Sequence, residues 1–600
     1  MAESPLHSKT DLVTYTITVE GEAIKDTYQM KSLSIEKGVG KVSMAKIVFY
    51  DGDSDEETFA ISESADFEPG KAVKIKLGYH STETDAFEGI VTSQQVEVAS
   101  FSHKVTSMLV VTCHDKAIKM TVARKSANYK DKKDSEVIST LAQDAGLSCT
   151  VDATTFKHTN LVQYNCTDWD FMMTRADANG LLVTNDAGKL EVKAPTVSGT
   201  EVLDLNFGTN IIDISAKMDS TPQLDKAQFN SWDGAQLKLI NGAGAEPSAN
   251  SQGNITGKKL AETVGKPAIE LTTAAPEDTS LLKSWAGSYL QHVRLAKIQG
   301  HVTFVGSTSP LPGKLIKLEG FGARINGTAF ITGVKHEVTS GNWRTTVQFG
   351  LDPKTFTDRF HEGISGPPAM GLLPPIGGVH IGTVKQIHED PAGEKRVLVE
   401  VPSFDTTGDG VWARLLSPYA SKDIGIYFYP ETGDEVAVGF LNSDPRFPVI
   451  LGSLFGKKNT PPFTPDDKNK DKGIVTKSKL KVTFDDDKKI ITVETPGGQK
   501  VTLDDDDKSL KLEDQNNNSV ELSSDGIVLN SGKDVKITAK GEIKLDATGK
   551  ATVSSKQDVS IEGLNVKSKA KASLSAEGTA SAEFKASGTV TVKGAMIMLN

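Results

Sequence analysis

The most regular hydrophobic pattern in the chain lies in its last part, 481–600. From Gly532 it can be written in lines of eight residues: GKDVKITA, KGEIKLDA, TGKATVSS and KQDVSIEG. Each line sets two apolar residues one apart: Val535/Ile537, Ile543/Leu545, Ala551/Val553 and Val559/Ile561. Looser copies precede it at Val501/Leu503, Leu510/Leu512, Val520/Leu522 and Ile527/Leu529, and later ones follow at Val590/Val592 and in the run 596–599. Alternation at period two predicts short strands with one buried face. The Gly, Asp, Asn and Lys residues between the pairs supply turns and a solvated face. Eight residues are too few to close one turn of a solenoid around its own core. Either three successive units of one chain form each coil, or three chains each give one unit per layer. Both closures yield a stiff β-prism held by stacking.

Upstream, apolar-polar alternation in VTYTITV, KIVFY, KAVKIKLGY and MLVVTC predicts a strand-rich block over 11–121. Three helices follow. The first fits 134–145, with Val137, Ile138, Leu141 and Ala145 on one face and Gly146 as its stop. The second fits 168–179, capped by Thr167, with Trp169, Met172, Met173 and Ala176 at helical spacing. The third fits 280–295, with Leu282, Trp285, Ala286, Tyr289 and Val293 on one stripe. Core packing accounts for these aromatic and Met stripes better than a ligand site does. A second strand-rich block, 298–352, repeats a feature of the first. PGKAVKIKLGY from Pro69 leads to FEGIVTSQQVEV, and PGKLIKLEGFG from Pro312 leads to FITGVKHEV. Each reads Pro-Gly-Lys, an alternating strand, a polar turn and a Gly-bearing strand ending in Glu-Val, which predicts a duplicated small β-barrel module. The Pro/Gly-punctuated 363–378 predicts a linker. VHIGTV, KRVLVEV, GVWARLL, GIYFY, DEVAVGFL and PVILGSLF then predict an OB-type barrel. This barrel lacks a basic, aromatic-lined groove in sequence, which favours a structural role.

Charge and chemistry narrow the function by exclusion. A net charge of −11 argues against nucleic acid as a main partner. The N-terminus has no basic region followed by an apolar one, and no apolar run approaches the roughly 20 residues of a membrane span, so folding in the cytoplasm is expected. Cys113, Cys149 and Cys166 have no zinc or redox spacing and are expected as core thiols. The pairs His336-Glu337, His361-Glu362 and His388-Glu389 lack the second His of a zinc protease, and neither GxSxG nor GxxxxGK[ST] occurs. NGAGA at Asn241 is read as a loop, not a phosphate cradle. The runs 485–487 and 504–507 are all Asp, but without EF-hand spacing they are expected as solvated turns rather than calcium sites. No catalytic, cofactor or metal residue is assigned, and the chain is read as no enzyme.

The block 379–455 resembles the OB domain of VgrG proteins, the spikes of type VI secretion systems. The resemblance rests on RVLVEVP at Arg396, WARLLSPYA at Trp412, PETGDEVAVGFL at Pro430 and DPRFPVILGSLF at Asp444. QYNCTDWDFMMTRADANGLLV from Gln163, the following KLEVKAP, and the block opening GKLIKLEGFG at Gly313 are similar to the family's hub. The same architecture occurs in contractile phage tails and extracellular contractile injection systems. It implies a mainly β fold: a hub of β-barrel modules with a few helices, an OB-fold barrel, and a C-terminal triple-stranded intertwined β-helix, in a homotrimer. The expected domains are the hub, 1–362; the linker, 363–378; the OB fold, 379–455; a connector, 456–472; and the spike, 473–600. Six similar modules per trimer would suit a hexameric inner-tube protein. Baseplate components, effectors and transiently a target membrane are further implied partners. Val535, Ile537, Ile543, Leu545, Val553, Val559, Ile561, Val590 and Val592 are the expected spike core. In Met596, Ile597, Met598, Leu599 and Asn600 both alternating faces are apolar, which predicts a docking site. By resemblance its occupant is a PAAR-type tip protein. The connector is too short for an enzyme domain, and the sequence stops at Asn600, so no effector domain is expected. The rival expectations are a receptor- or carbohydrate-binding fibre and a phage-like spike with cell-wall hydrolase activity.

Overall fold

A computed structural model describes residues 4–5, 12–101, 104–233, 238–273, 275–360, 367–405 and 407–599. It divides into two compact units, Met1–Pro461 and Pro462–Asn600.

In the first unit, the alternating segments near the N-terminus form the strands Val13–Val19, Met30–Gly38, Lys41–Tyr50, Ala72–Tyr79, Thr82–Phe101 and Lys104–His114. Their inward residues, among them Ile35, Ile47, Phe49, Ile75 and Val111, close one apolar core. A second core contains Val302, Phe304, Leu318, Ile331 and Phe349. It is built by Ile211–Met218, Ile298–Val305, Leu315–Glu319, Gly327–Thr339 and Asn342–Phe349. One sheet runs through both, because Met30–Gly38 pairs antiparallel with the second half of Gly327–Thr339.

The hydrogen bonds of the first set recur in the second. Gly70 donates to the Val91 carbonyl at 2.8 Å, and Gly313 to that of Ile331 at 2.9 Å. Val91 donates back to Lys71, and Ile331 to Lys314, both at 2.9 Å. Gly70 and Gly313 sit at φ 103° and 86°, a conformation that favours glycine and explains the shared Pro-Gly-Lys. A β-bulge then follows at Val91/Ser93 and at Ile331/Gly333. Another follows Met30 opposite Phe49, matched by one that follows Ile211 opposite Phe304.

The helices Asp134–Asp144 and Asp168–Ala178 lie between these two sets along the chain, and Thr279–Leu295 follows Ile211–Met218. Thr167 Oγ1 accepts from the Asp170 amide at 3.0 Å, capping the second. Trp169, Met172, Met173, Ala176, Leu282, Trp285, Ala286 and Val293 share one buried cluster, so the stripes are core. Two segments differ from expectation. NGAGA is mostly strand (Lys238–Ala243), and a Cβ on Gly242 or Gly244 would strike the Thr279–Leu295 helix backbone at 2.5–2.6 Å. Its glycines serve close packing. The 363–378 segment is no loose linker where it is described, from 367. Ala369, Met370, Leu372 and Leu373 are buried among the helices, and Trp285 Nε1 donates to the Met370 carbonyl at 3.1 Å. Pro and Gly set the local path, while the apolar side chains between them decide burial.

His380–Gln386, Val397–Glu400, Val411–Leu415, Pro448–Ser453 and Glu435–Phe440 close a five-stranded barrel around Val384, Val399, Phe404, Val438 and Ile450. GIYFY is not one of its staves. Only Ile424–Gly425 is strand there, pairing with Ala420–Ser421, and Ile426, Tyr427 and Phe428 are exposed.

In the second unit, seven strands from Asp471–Val475 to Gly526–Asn530 form an antiparallel meander. The Asp runs are its turns. Asp485 Oδ1 accepts from the amides of Asp487 and Lys488 at 3.1 and 3.0 Å, and Asp504 Oδ1 from Asp507 at 3.0 Å. No strand is assigned over 531–599. A strand needs a partner for its backbone, and these repeats find none among the described residues.

Candidate functional site

The expected spike-core residues are where single-chain packing stops. Val535, Ile537, Ile543, Leu545, Val553, Val559, Ile561, Val590 and Val592 are 52–91% exposed. None of them belongs to a buried apolar cluster among the described residues, which speaks against the one-chain coil. Met596, Ile597, Met598 and Leu599 are likewise exposed, and Asn600 lies outside the described residues. Apolar surface repeated over this length is an association surface.

The first unit has further open surfaces that the sequence did not single out. Beyond Val91, the strand Thr82–Phe101 pairs only with Lys104–His114 among the described residues, and Ile211–Met218 ends the sheet. Val96, Val98 and Ile212 are exposed on these edges. On the barrel, Tyr419, Ile424, Ile426, Tyr427 and Phe428 are exposed, with the Tyr427 and Tyr429 rings 4.9 Å apart.

The titratable groups are arranged for packing. Burial pushes the Cys113 and Cys166 thiols up to about 12 and Cys149 to about 11, which suppresses the reactive thiolate. Among the described residues no three His, Cys, Asp or Glu side chains are placed to hold a metal. His361-Glu362 lies outside the described residues, His388-Glu389 is on the surface, and His336 is buried with Nδ1 3.0 Å from Thr345 Oγ1.

Burial lowers His336 to about 3, helped by the Lys37 charge. A histidine depressed in the fold contributes stability above its unfolded value near 6.5 and loses it as pH falls toward 3. Each pH unit below about 6.5 should cost about 1.4 kcal/mol through this residue. Urea unfolding at pH 7 and pH 5 is expected to show a shallower pH dependence for His336→Gln than for the parent. Equal dependence would remove His336 as the cause.

Two buried ionic clusters were not foreseen. Asp134, the first residue of its helix, accepts from Arg175 Nε at 2.7 Å, Arg175 Nη2 at 3.0 Å and Asn179 Nδ2 at 2.8 Å. His158 Nε2 lies 3.2 Å away. Burial alone would raise the Asp134 carboxyl, but the Arg175 guanidinium and the His158 and Arg175 hydrogen bonds hold it far below the carboxylate range. Arg175 also donates to the Leu372 carbonyl. The available signal was an arginine within the apolar helix WDFMMTRADA. The second cluster joins the helical region to the barrel: Arg446 pairs with Glu277 and, at 2.7 Å, with Asp444. Burial pushes Glu277 up to about 7 against the pull of Arg446. Each of these groups already has charged or hydrogen-bonding partners inside the protein, so the clusters read as structural rather than catalytic.

A family model described as the Alg8 N-terminal domain matches residues 9–340. The type VI secretion system/phage-baseplate injector OB domain matches 380–455. The phage baseplate V C-terminal trimerisation domain matches 490–556. The actin cross-linking toxin VgrG1 of Vibrio cholerae is 35% identical over 108 residues, 16% of this chain and 10% of that protein. The type VI secretion system spike protein VgrG2a of Pseudomonas aeruginosa is 33% identical over 118 residues, 18% of this chain and 14% of its own length. The chain thus spans 10–14% of the length of these curated relatives. In fold it is similar to a chain of the Francisella PdpA–VgrG complex, with a TM-score of 0.50 at 10% identity, covering 86% of this chain and 80% of that one.

Proposed function

The chain belongs to the VgrG-type spike family, with an N-terminal domain of the Alg8 type, and from that premise we propose that three copies form the hub and membrane-puncturing spike of a contractile injection machine. The observation that carries this reading is the row of exposed apolar pairs from Val535 to Val592, unpartnered in a single chain. Its first pairs, Val535 to Val553, lie in a segment matched by a trimerisation domain, and the rest follow it. Three chains wound together bury these pairs on a common axis and give every backbone N–H and C=O a partner.

The mechanism is mechanical. Stacked Val, Ile and Leu layers resist bending, and the prism is driven through a target membrane when the surrounding sheath contracts. The hub seats on the hexameric inner tube and meets baseplate components, while the distal end carries a PAAR-type tip protein and, through it or directly, effectors. No helix of the described residues is long and apolar enough to cross a membrane. On this reading the protein waits in the cytoplasm until assembly and leaves with the particle on firing.

A truncation removing 596–600 tests both ends of the reading. The shortened protein is expected to sediment as three chains, because the spike-core pairs remain. It should lose capture of the tip protein at least tenfold, because the apolar face of Met596, Met598 and their neighbours is gone. Full-strength capture would remove the docking role, and a monomeric full-length chain would overturn the trimeric spike.

A further inference from the structure

We propose that two strand edges of the first unit pair between neighbouring copies, residues 93–99 of one chain adding antiparallel to residues 213–219 of the next. This rests on the trimer reading above and adds its register. The argument starts from a junction inside one chain. There, Gly38, Glu36, Ile35 and Leu33 pair with Gly333, Lys335, His336 and Val338. That pairing seals one apolar core with the edge of the neighbouring module, and Val338 belongs to the core of the first.

The matched bulges give the equivalences residue by residue. Val91/Ser93 corresponds to Ile331/Gly333, so Val96 and Val98 stand where His336 and Val338 stand. Met30/Ser32 corresponds to Ile211/Asp213, so Ile214 and Ala216 stand where Leu33 and Ile35 stand. The internal junction therefore has one counterpart of each half, and neither is used by another strand among the described residues. His336 and Val338 are 1% and 2% exposed, whereas Val96 and Val98 are 46% and 58% exposed. Ile211, Ile214, Ala216 and Met218 are half-buried at the margin of the second core, as Leu33 and Ile35 would be without their partner strand.

Carrying the register over pairs Val98 with Ile214, Val96 with Ala216, Gln95 with Lys217 and Ser93 with Asp219. On one face Val98 and Val96 then meet the apolar Ile214 and Ala216, while Met218 falls opposite Gln94. The contact is head-to-tail, so each copy offers one edge of each kind, and a closed ring leaves no free edge. With two modules per chain, three chains repeat the internal junction around six modules.

Cysteine pairs test the register in the full-length chain. Directly opposed Cα atoms in an antiparallel pair are about 4.5–5.5 Å apart, within disulfide reach. The variant with Val98→Cys and Ile214→Cys is therefore expected to give chains linked up to three on a non-reducing gel, and Val98→Cys alone none. Val98→Cys with Met218→Cys moves one partner by about 13 Å along the strand and should link poorly. A chain that sediments as a trimer but does not link in register, or links equally in the shifted pair, overturns this interface and leaves the spike reading standing. A monomer overturns both.

Discussion

A chain carrying Ile537→Asp and Ile543→Asp is expected to lose the heat resistance of its trimer. Its repeat region, 531–599, should become protease-sensitive, while association falls to what the strand edges of the first unit can hold. Both residues lie in the segment matched by the trimerisation domain, and they are 73% and 54% exposed in the single chain. In a three-chain prism each substitution removes three apolar side chains from one layer, worth about 2 kcal/mol apiece. It also gathers three carboxylates on the axis, where desolvation costs several kcal/mol per ion before their mutual repulsion is added. The period-two pattern puts Lys536 on the face opposite Ile537 in such a prism, so Lys536→Asp is the control that should leave melting and proteolysis unchanged. If the Ile variant melts and digests like the parent, the apolar pairs are not the spike core. If the Lys variant fails instead, the inward and outward faces have been exchanged.

What was legible in the sequence was what local chemistry alone decides. Thr167 with Asp170, followed by an apolar stripe, marks a helix because cap and periodicity lie within a dozen residues. Pro-Gly-Lys before two alternating strands marks a repeated turn because each Gly takes a backbone conformation that other residues avoid. What was not legible depended on distant partners. GIYFY has strand composition, but most of it lacks a strand to join. Pro and Gly around Met370, Leu372 and Leu373 look like a linker until the helices that bury those side chains are in place. The exposure of Val96 and Val98 follows the same logic one level up. Alternation predicts a buried face for them, the structure leaves it exposed, and on the proposed interface a second chain covers it. The repeats after Asn530 are the extreme case, since period two forecasts strands there and the described residues offer them no backbone partner.

The largest loss of stability in the first unit is expected from Arg175→Ala. Asp134 and Arg175 are both fully buried, and the guanidinium supplies two of the hydrogen bonds that keep the carboxylate charged. Removing it strands a buried negative charge, which typically costs about 3–5 kcal/mol, whereas replacing both partners by neutral side chains costs far less. Arg175→Met combined with Asp134→Asn should therefore recover most of the loss seen in denaturant unfolding. The pH dependence separates a lost ion pair from a lost volume. In the parent the depressed Asp134 carboxyl contributes stability above its unfolded value near 3.9, and that stability is lost only in stronger acid. In Arg175→Ala burial raises the same carboxyl, so the deficit should be greatest at pH 8 and shrink toward pH 5 as the group takes up a proton. A deficit independent of pH would mean that Arg175 acts by packing alone. The Leu372 carbonyl loses its donor in the same variant. Its segment, held between the helices and the barrel, should then become the first site of limited proteolysis.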